Sequence, residues 1–485
     1  MSSKFRVSIR FLQPYSHGRG EDGTPEWPPS PLRLFQALAA CSLGREPNEE
    51  RRRGAARTLE WLERLEAPEI VAARAAPVSN PYRSYVPDNV GDKVARAWSA
   101  GREAKLEEYR SEKDVDAVKL EDDAVHYLFE TAEDVAAQLP TLQRMARSLT
   151  HVGWGIDHVA GDADADISGL AGERWLPVRH GGRLLRIPIP GTLAALEERH
   201  RLFLTRLEGD TFRPVTPLSA FATVSYARAT DPMPRPYIAF RVVQPTTGDR
   251  LSLDPVTRTR DVAAWLRHAV AEVAEGWPFG PTKTLIHGHP EEGVRMGPST
   301  PRLSFLPLPT ISPRKGRNGV HEHVEGIARV AVVGQAGLEA ALEWLKAHLS
   351  GRELEWRGRV VAALEPLPDQ DWVLKRYTAA STRWSTVTPV VLPGYDDGSR
   401  KKAEKLLRNA FAHAGFEREV LESIQTLEWR RVGFRVGTEL AARYLPPDKV
   451  VGPHYHVRVR FAREVAGPLA IGSGRFRGMG VFAAE

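Results

Sequence analysis

Fifteen histidines occur in this 485-residue chain, and six of them form the His-x-His pairs His287/His289, His321/His323 and His454/His456. On a β-strand residues two apart face the same side, so each pair would present two imidazoles to one ligand. A neutral imidazole ligates metals and also exchanges protons near neutrality. A zinc site would need a third nitrogen or carboxylate, which the sequence does not signal. The plainer alternative is that the pairs are polar residues of loops and strand ends, above all His454 and His456. A second chemically loaded segment lies near the C-terminus, where Gly472-x-Gly474-x-x-x-Gly478-x-Gly480 surrounds Arg475, Phe476 and Arg477. Glycine admits positive φ and close backbone approach to a ligand. Guanidinium groups attract a phosphodiester, and an aromatic ring between them is a platform for an unstacked base. The spacing fits neither a dinucleotide fingerprint nor a P-loop. A tight hairpin closing a sheet is the competing reading of the segment.

The elements that must position these groups follow from the apolar pattern. Residues 5–12 alternate as a strand, and a loop with Gly18, Gly20 and Gly23 leads to Pro28-Pro29. A helix then begins near Ser30, with Pro31 in its first turn and Leu32, Phe35, Leu38 and Ala39 on one face. A second helix is expected over 51–65. Residues 94–149, highly charged and poor in glycine, read as a helical insertion, and 151–226 as strand-rich. The extended stretch Asp231-Pro-Met-Pro-Arg-Pro236 is the best linker. Beyond it β-α cycles recur: strand 237–243, helix 260–273, strands 302–308 and 327–333, and helix 338–349. A further cycle has strand 386–392, helix 399–414, strands near 427 and 434, and final strands 455–461 and 478–482. This predicts an α+β protein of tandem ferredoxin-like (RRM-like) domains, with modules at 1–230 and 231–485 and the latter divided at about 236–370 and 380–485.

At 42% hydrophobic and 26% charged residues the composition is globular, and the length calls for two or more domains. No apolar run reaches the roughly 18 residues of a membrane span, and residues 1–12 lack the apolar region of a signal peptide. The single Cys41 cannot form an internal disulfide or a thiolate zinc cluster, which fits a cytoplasmic protein. A net charge of +6 and a pI near 9.3 permit a polyanionic partner. Lys and Arg concentrate in 314–317, 400–405 and 458–477, which points nucleic acid at the C-terminal half. No Walker A motif occurs, and Tyr82, Tyr85, Trp356, Trp372, Tyr377, Trp384 and Tyr395 read as core or rim aromatics, leaving Phe476 as the base platform.

The glycine-rich segment resembles the loop that ends the RNA-binding proteins of CRISPR systems, the repeat-associated (RAMP) superfamily of ferredoxin-like domains. Four more blocks point the same way: Trp27-Pro-Pro-Ser-Pro-Leu-Arg-Leu-Phe-Gln-Ala-Leu-Ala39, Leu306-Pro-Leu-Pro309, His321-Glu-His-Val-Glu-Gly-Ile-Ala-Arg-Val-Ala-Val332 and Trp384-Ser-Thr-Val-Thr-Pro-Val-Val-Leu392. In this order they resemble the fused handle-capping and repeat-cleaving subunit (Cas five–Cas six type) of type I-G, formerly I-U, CRISPR effectors, with residues 80–210 unmatched.

The resemblance implies a handle-capping module over 1–230 and an endoribonuclease over 231–485. It would use neither metal nor cofactor, cutting repeats by attack of a ribose 2′-OH on the adjacent phosphate. Such chemistry needs a general base, an acid and a cation, and imidazole suits the first two. His321 and His323 come first because they fall in a matching block, with Arg314, Lys315, Arg317 and Arg329 as RNA contacts. His287 and His289 come second. Gly472, Gly474, Arg475, Phe476, Arg477, Gly478 and Gly480 would bind RNA. The implied partners are CRISPR repeat RNA and mature guide RNA, the backbone and large subunits of an effector complex and, through it, target DNA; no membrane is implied. A non-catalytic RNA-binding subunit of the same complex and a zinc-dependent hydrolase are the alternatives.

Overall fold

Alternation in the first strand decides the layering of the N-terminal unit. The computed structural model describes residues 3–20, 23–80, 82–87, 98–102, 110–208, 211–290, 296–297, 300–316, 319–368 and 371–485, and the chain divides into two units, Met1–Asp231 and Pro232–Glu485. In β1 (Ser3–Phe11) Phe5, Val7, Ile9 and Phe11 are buried, which leaves Arg6, Ser8 and Arg10 to the opposite face. The buried face packs on α1 (Pro31–Leu43) and α2 (Glu49–Leu62) through Leu34, Phe35, Leu38, Leu59 and Leu62. The sheet continues with β2 (Glu69–Ala72), β3 (Ala124–Thr131), β4 (Val159–Asp164), β5 (Glu173–Val178), β6 (Arg183–Ile187) and β7 (Ala222–Arg228). Its seven strands run antiparallel in the order β6-β7-β5-β2-β3-β1-β4. Two more helices, α3 (Leu139–Arg147) and α4 (Thr192–Leu204), belong to the unit.

The expected helical insertion over 94–149 is corrected. Residues 94–97 and 103–109 lie outside the described residues; among the others, 110–115, 118–120 and 124–131 are strands, and α-helix is confined to residues 98–99 and Leu139–Arg147. The reason lies in β3, where Val125, Tyr127 and Phe129 alternate into the core and pair the strand with both β1 and β2. Charge density suggested a helix, but a period of two overrides it.

In the C-terminal unit, β8 (Tyr237–Val243) is buried on both faces. Ile238, Phe240 and Val242 meet α5 (Pro255–Val273) and α6 (Glu339–Leu349) in one core cluster. Around β8 lie β9 (Ser304–Gly316), β10 (Gly319–Val333), β11 (Glu353–Trp356) and β12 (Arg359–Pro366), in the antiparallel order β9-β10-β8-β12-β11. On the other face Tyr237, Leu306 and Leu308 meet α7 (Trp372–Thr378) and the C-terminal residues Val481 and Ala483. A second antiparallel sheet has β13 (Ala380–Thr386), β14 (Ile424–Arg430), β15 (His454–Ala466) and β16 (Phe482–Ala484), ordered β14-β15-β13-β16. Its helix α8 (Arg400–His413) packs Leu407, Ala410 and Phe411 onto this sheet. The strand expected over 386–392 is broken, ending at Thr386 and resuming only as Val390–Val391. Among the described residues no helix is long and apolar enough to cross a membrane.

Arg329, expected to contact RNA, is instead sealed in this core. Its guanidinium meets Asp371 at 2.8 Å with the two side chains 5% and 8% exposed, and Asp371 also caps α7 by accepting from the Val373 and Leu374 amides. Arg329→Ala would strand the buried carboxylate and should cost about 3–5 kcal/mol in urea unfolding. Arg314→Ala removes an exposed partner of Glu325 and should cost about 1 kcal/mol or less. Equal losses would contradict this division.

Candidate functional site

The glycine-rich tail is core. Leu469, Ile471, Met479, Val481 and Phe482 are buried, and the Ile471 amide donates to the Gly480 carbonyl. A Cβ on Gly472 would lie 2.5 Å from the Val391 carbonyl oxygen, and one on Gly474 would lie 2.6 Å from the Met479 Cβ. Gly478, at φ +85°, passes so close to β9 that a Cβ would sit 2.8 Å from Pro307 Cδ. At Gly480, φ +70°, a Cβ would overlap the Ile471 carbonyl. These four glycines therefore answer to packing within the chain, which corrects the reading of them as a ligand cradle.

The turn Arg475–Arg477 divides its side chains by task. Arg475 folds back to donate to the carbonyls of Gly472 at 3.1 Å and His413 at 2.8 Å. Burial, reinforced by Arg302 and Arg235, pulls its guanidinium down to about 10. Arg302 and Arg475 both lie over the Phe476 ring, at 4.1 and 4.2 Å, occupying the faces that a base would need. Arg477 opens instead onto a cleft of about 820 Å³ that gathers five arginines and two histidines against three carboxylates.

One wall of that cleft is the polar side of α5. Asp254 caps the helix by accepting from the Val256 and Thr257 amides, and Pro255 occupies its first turn. Val262, Leu266, Ala269 and Val270 face the core, so Arg260, Ala264, Arg267, His268 and Ala271 fall at helical spacing along the cleft. His268 Nε2 is 3.2 Å from a Glu272 carboxylate oxygen, and Arg258 meets Asp261 at 3.1 Å. A second wall is the β11–β12 hairpin tip with Trp356 and Arg357.

His287 enters from the π-helical segment Lys283–His287, a geometry frequent at functional sites. Buried Leu285 and Ile286 hold this segment, and the Leu303 amide donates to the Leu285 carbonyl at 2.8 Å. Gly288 ends it at φ +68°, and the Arg302 guanidinium fills the space that a Cβ there would take. Arg302 thus touches both the His287 segment and the tail ring Phe476, with its Nε buried and without a hydrogen-bond partner.

The field here is cationic. Burial lowers the His287 imidazole, and Arg267 and then His289 add to the effect. Burial and then Arg267 lower Arg477 against the opposing pull of Asp448, and burial, Arg477 and Arg267 lower Arg302. A neutral imidazole beside closely spaced guanidiniums can take a proton from a hydroxyl next to a bound phosphate.

The other expected residues lie elsewhere in the unit. His321 and His323 sit on β10 opposite Arg314 and Ser312 and do not line the cleft. His321 is exposed, whereas His323 is half-buried with an unpartnered Nδ1, pressed by Gly437. Glu325 accepts from Ser312 and Arg314, and these bonds hold its carboxyl below the usual range. Glu322 bonds to Arg376 and Arg435 at 2.6 and 2.5 Å. Lys315 is exposed, His289 lies in an exposed loop, and Arg317 lies outside the described residues. Among the described residues no three His, Cys, Asp or Glu side chains gather as a metal site. Sequence reasoning missed Arg258, Arg260, Arg267 and His268, although their helical spacing in 258–268 was visible. It also missed Arg302, for which no local signal existed.

The basic cleft thus belongs to an α+β unit built on two antiparallel sheets with helices. Along residues 1–484 the chain matches the family described as "CRISPR-associated protein, GSU0054 family", and it belongs to that family. No curated protein matches it. Among solved structures it is similar to a CRISPR protein from Archaeoglobus fulgidus at 13% identity, covering 38% of this chain and 68% of that one, with a TM-score of 0.19. It is also similar to a Cas6 product complex at 14% identity, covering 51% of this chain and 98% of that one, with a TM-score of 0.24. Family membership rests on the match along 1–484.

His456 illustrates the plainer fate of a histidine pair. It is fully buried between Thr386 Oγ1 and the Glu439 carbonyl, and burial lowers it from the ordinary 6.5 to about 4. Between these values the unfolded chain binds a proton that the native one refuses, so stability is full above pH 6.5 and falls on acidification. The loss should reach about 3 kcal/mol near pH 4 and be smaller in His456→Gln, as read by urea unfolding at a series of pH values. Identical pH slopes in the two proteins would refute the assignment.

Proposed function

We propose that the chain is a fused handle-capping and repeat-processing subunit of a type I-G CRISPR effector complex, and that it cleaves precursor CRISPR RNA in the α5 cleft. The observation that carries this reading is the convergence of His287, His268, Arg267 and Arg477 on one basic cleft in a CRISPR-associated family member. The strand orders β9-β10-β8-β12 and β14-β15-β13-β16 each set the first and third strands of a cycle at the centre, which supports tandem ferredoxin-like domains in the C-terminal unit. The N-terminal unit is the capping module, and fusion keeps both modules at high effective concentration around one RNA. The partners are repeat and guide RNA and the other subunits of the complex.

In this reading His287 removes the proton from a ribose 2′-OH as its oxygen bonds to the adjacent phosphorus. The bond from phosphorus to the 5′-oxygen breaks, and His268, oriented by Glu272, protonates that leaving oxygen. Arg267 and Arg477 neutralise the crowded phosphate, leaving a cyclic 2′,3′-phosphate and a 5′-OH.

Single-turnover cleavage of cognate repeat RNA in EDTA tests the proposal. His287→Ala and His268→Ala should each slow the reaction by about 10²- to 10⁴-fold with RNA affinity nearly unchanged. A 2′-deoxy substitution at the cut should abolish it. Wild-type rates in both variants with loss in His321→Ala or His323→Ala would move the chemistry to the β9–β10 hairpin. Tight binding without cleavage by the wild type would favour a non-catalytic RNA-binding subunit.

A further inference from the structure

The tip of the β11–β12 hairpin is built for a task that its own fold does not require. Trp356 pairs with Arg359 across a two-residue loop, Arg357-Gly358, whose φ values of +52° and +71° give the tight primed turn that suits a hairpin. A non-glycine residue at positive φ is uncommon, and here it carries the Arg357 guanidinium to 6.0 Å from the Trp356 ring centroid. Trp356 remains 38% exposed, takes no part in the core clusters of the unit, and lines the cleft together with Arg267, His287 and Arg477. Phe476, by contrast, has its ring faces taken by Arg302 and Arg475.

We infer that Trp356 is a nucleobase-stacking subsite at the rim of the cleft, holding one unpaired base of a single-stranded RNA while the arginines hold its flanking phosphates. The inference rests on the cleft being the RNA site proposed above and adds how it distinguishes a base-bearing strand from bare polyanion. An indole face beside guanidiniums suits any base, because every base has a π face. The carboxylates of Glu355, Asp261 and Asp448 on the same walls temper the positive field, so charge alone holds a strand less firmly there.

Two probes of equal charge separate these contributions: a uridine dodecamer and a dodecamer of abasic ribose phosphates. The wild-type protein should bind the uridine strand more tightly by roughly 5- to 150-fold, the range that one stacked base provides. Trp356→Ala should remove at least 5-fold of that preference and leave binding of the abasic strand and its salt dependence unchanged. Trp356→Phe should restore most of it. Arg267→Ala and Arg477→Ala should weaken both probes alike and lower the log-log salt slope by about 0.7 for each phosphate no longer neutralised. Equal wild-type affinity for the two probes overturns the subsite, whether or not Trp356→Ala folds. So does a Trp356→Ala loss that is the same for both. If neither arginine variant changes affinity or salt slope, the failure belongs to the cleft as an RNA site.

Discussion

The constraint on which the C-terminal unit depends is the close passage of the glycine-rich tail through its own core. Gly472, Gly474, Gly478 and Gly480 let the chain run against Val391, Met479, Pro307 and Ile471 where no Cβ fits. That passage fixes the turn Arg475–Arg477, places Phe476 under Arg302 and directs Arg477 into the cleft. Through Arg302 it also reaches Gly288, next to His287. A segment whose composition suggests a flexible ligand loop thus acts as the rigid part that sets the cleft.

The electrostatics follow from this packing. Arg235, Arg302 and Arg475 surround a small buried space, and burial lowers all three guanidiniums. Arg267, Arg302 and Arg477 repel one another, so the fold holds positive charge at a cost that a polyanion would relieve. The same field disfavours the protonated form of His287. The opposite choice is made at Arg329, where the Asp371 carboxylate neutralises the buried charge within the fold.

Much of the framework was legible from apolar periodicity. The strand at 237–243 and the helices near 31–43, 339–349 and 400–413 follow from patterns that local residues determine. The stretch 94–149 misled because its charge density masked the alternation of Val125, Tyr127 and Phe129. At the site, residue types were readable but their assembly was not. His287 and Arg477 are 190 positions apart and meet one cleft only because the tail returns against β9 and α5. The four glycines of the tail suggested a ligand, whereas the space they leave is filled by the chain itself, a fact that depends on partners such as Val391 and Pro307 distant in sequence.

The central claim is that RNA lies along the cleft formed by α5, the segment at 283–288, the β11–β12 tip and the tail turn. Amide hydrogen exchange of the intact protein, with and without a saturating single-stranded repeat RNA, tests this most directly. The account predicts added protection in 283–288, 355–358 and 475–478, with the hairpin at 312–325 unchanged. Protection confined to 312–325, or none anywhere in the C-terminal unit while RNA is bound, would contradict it.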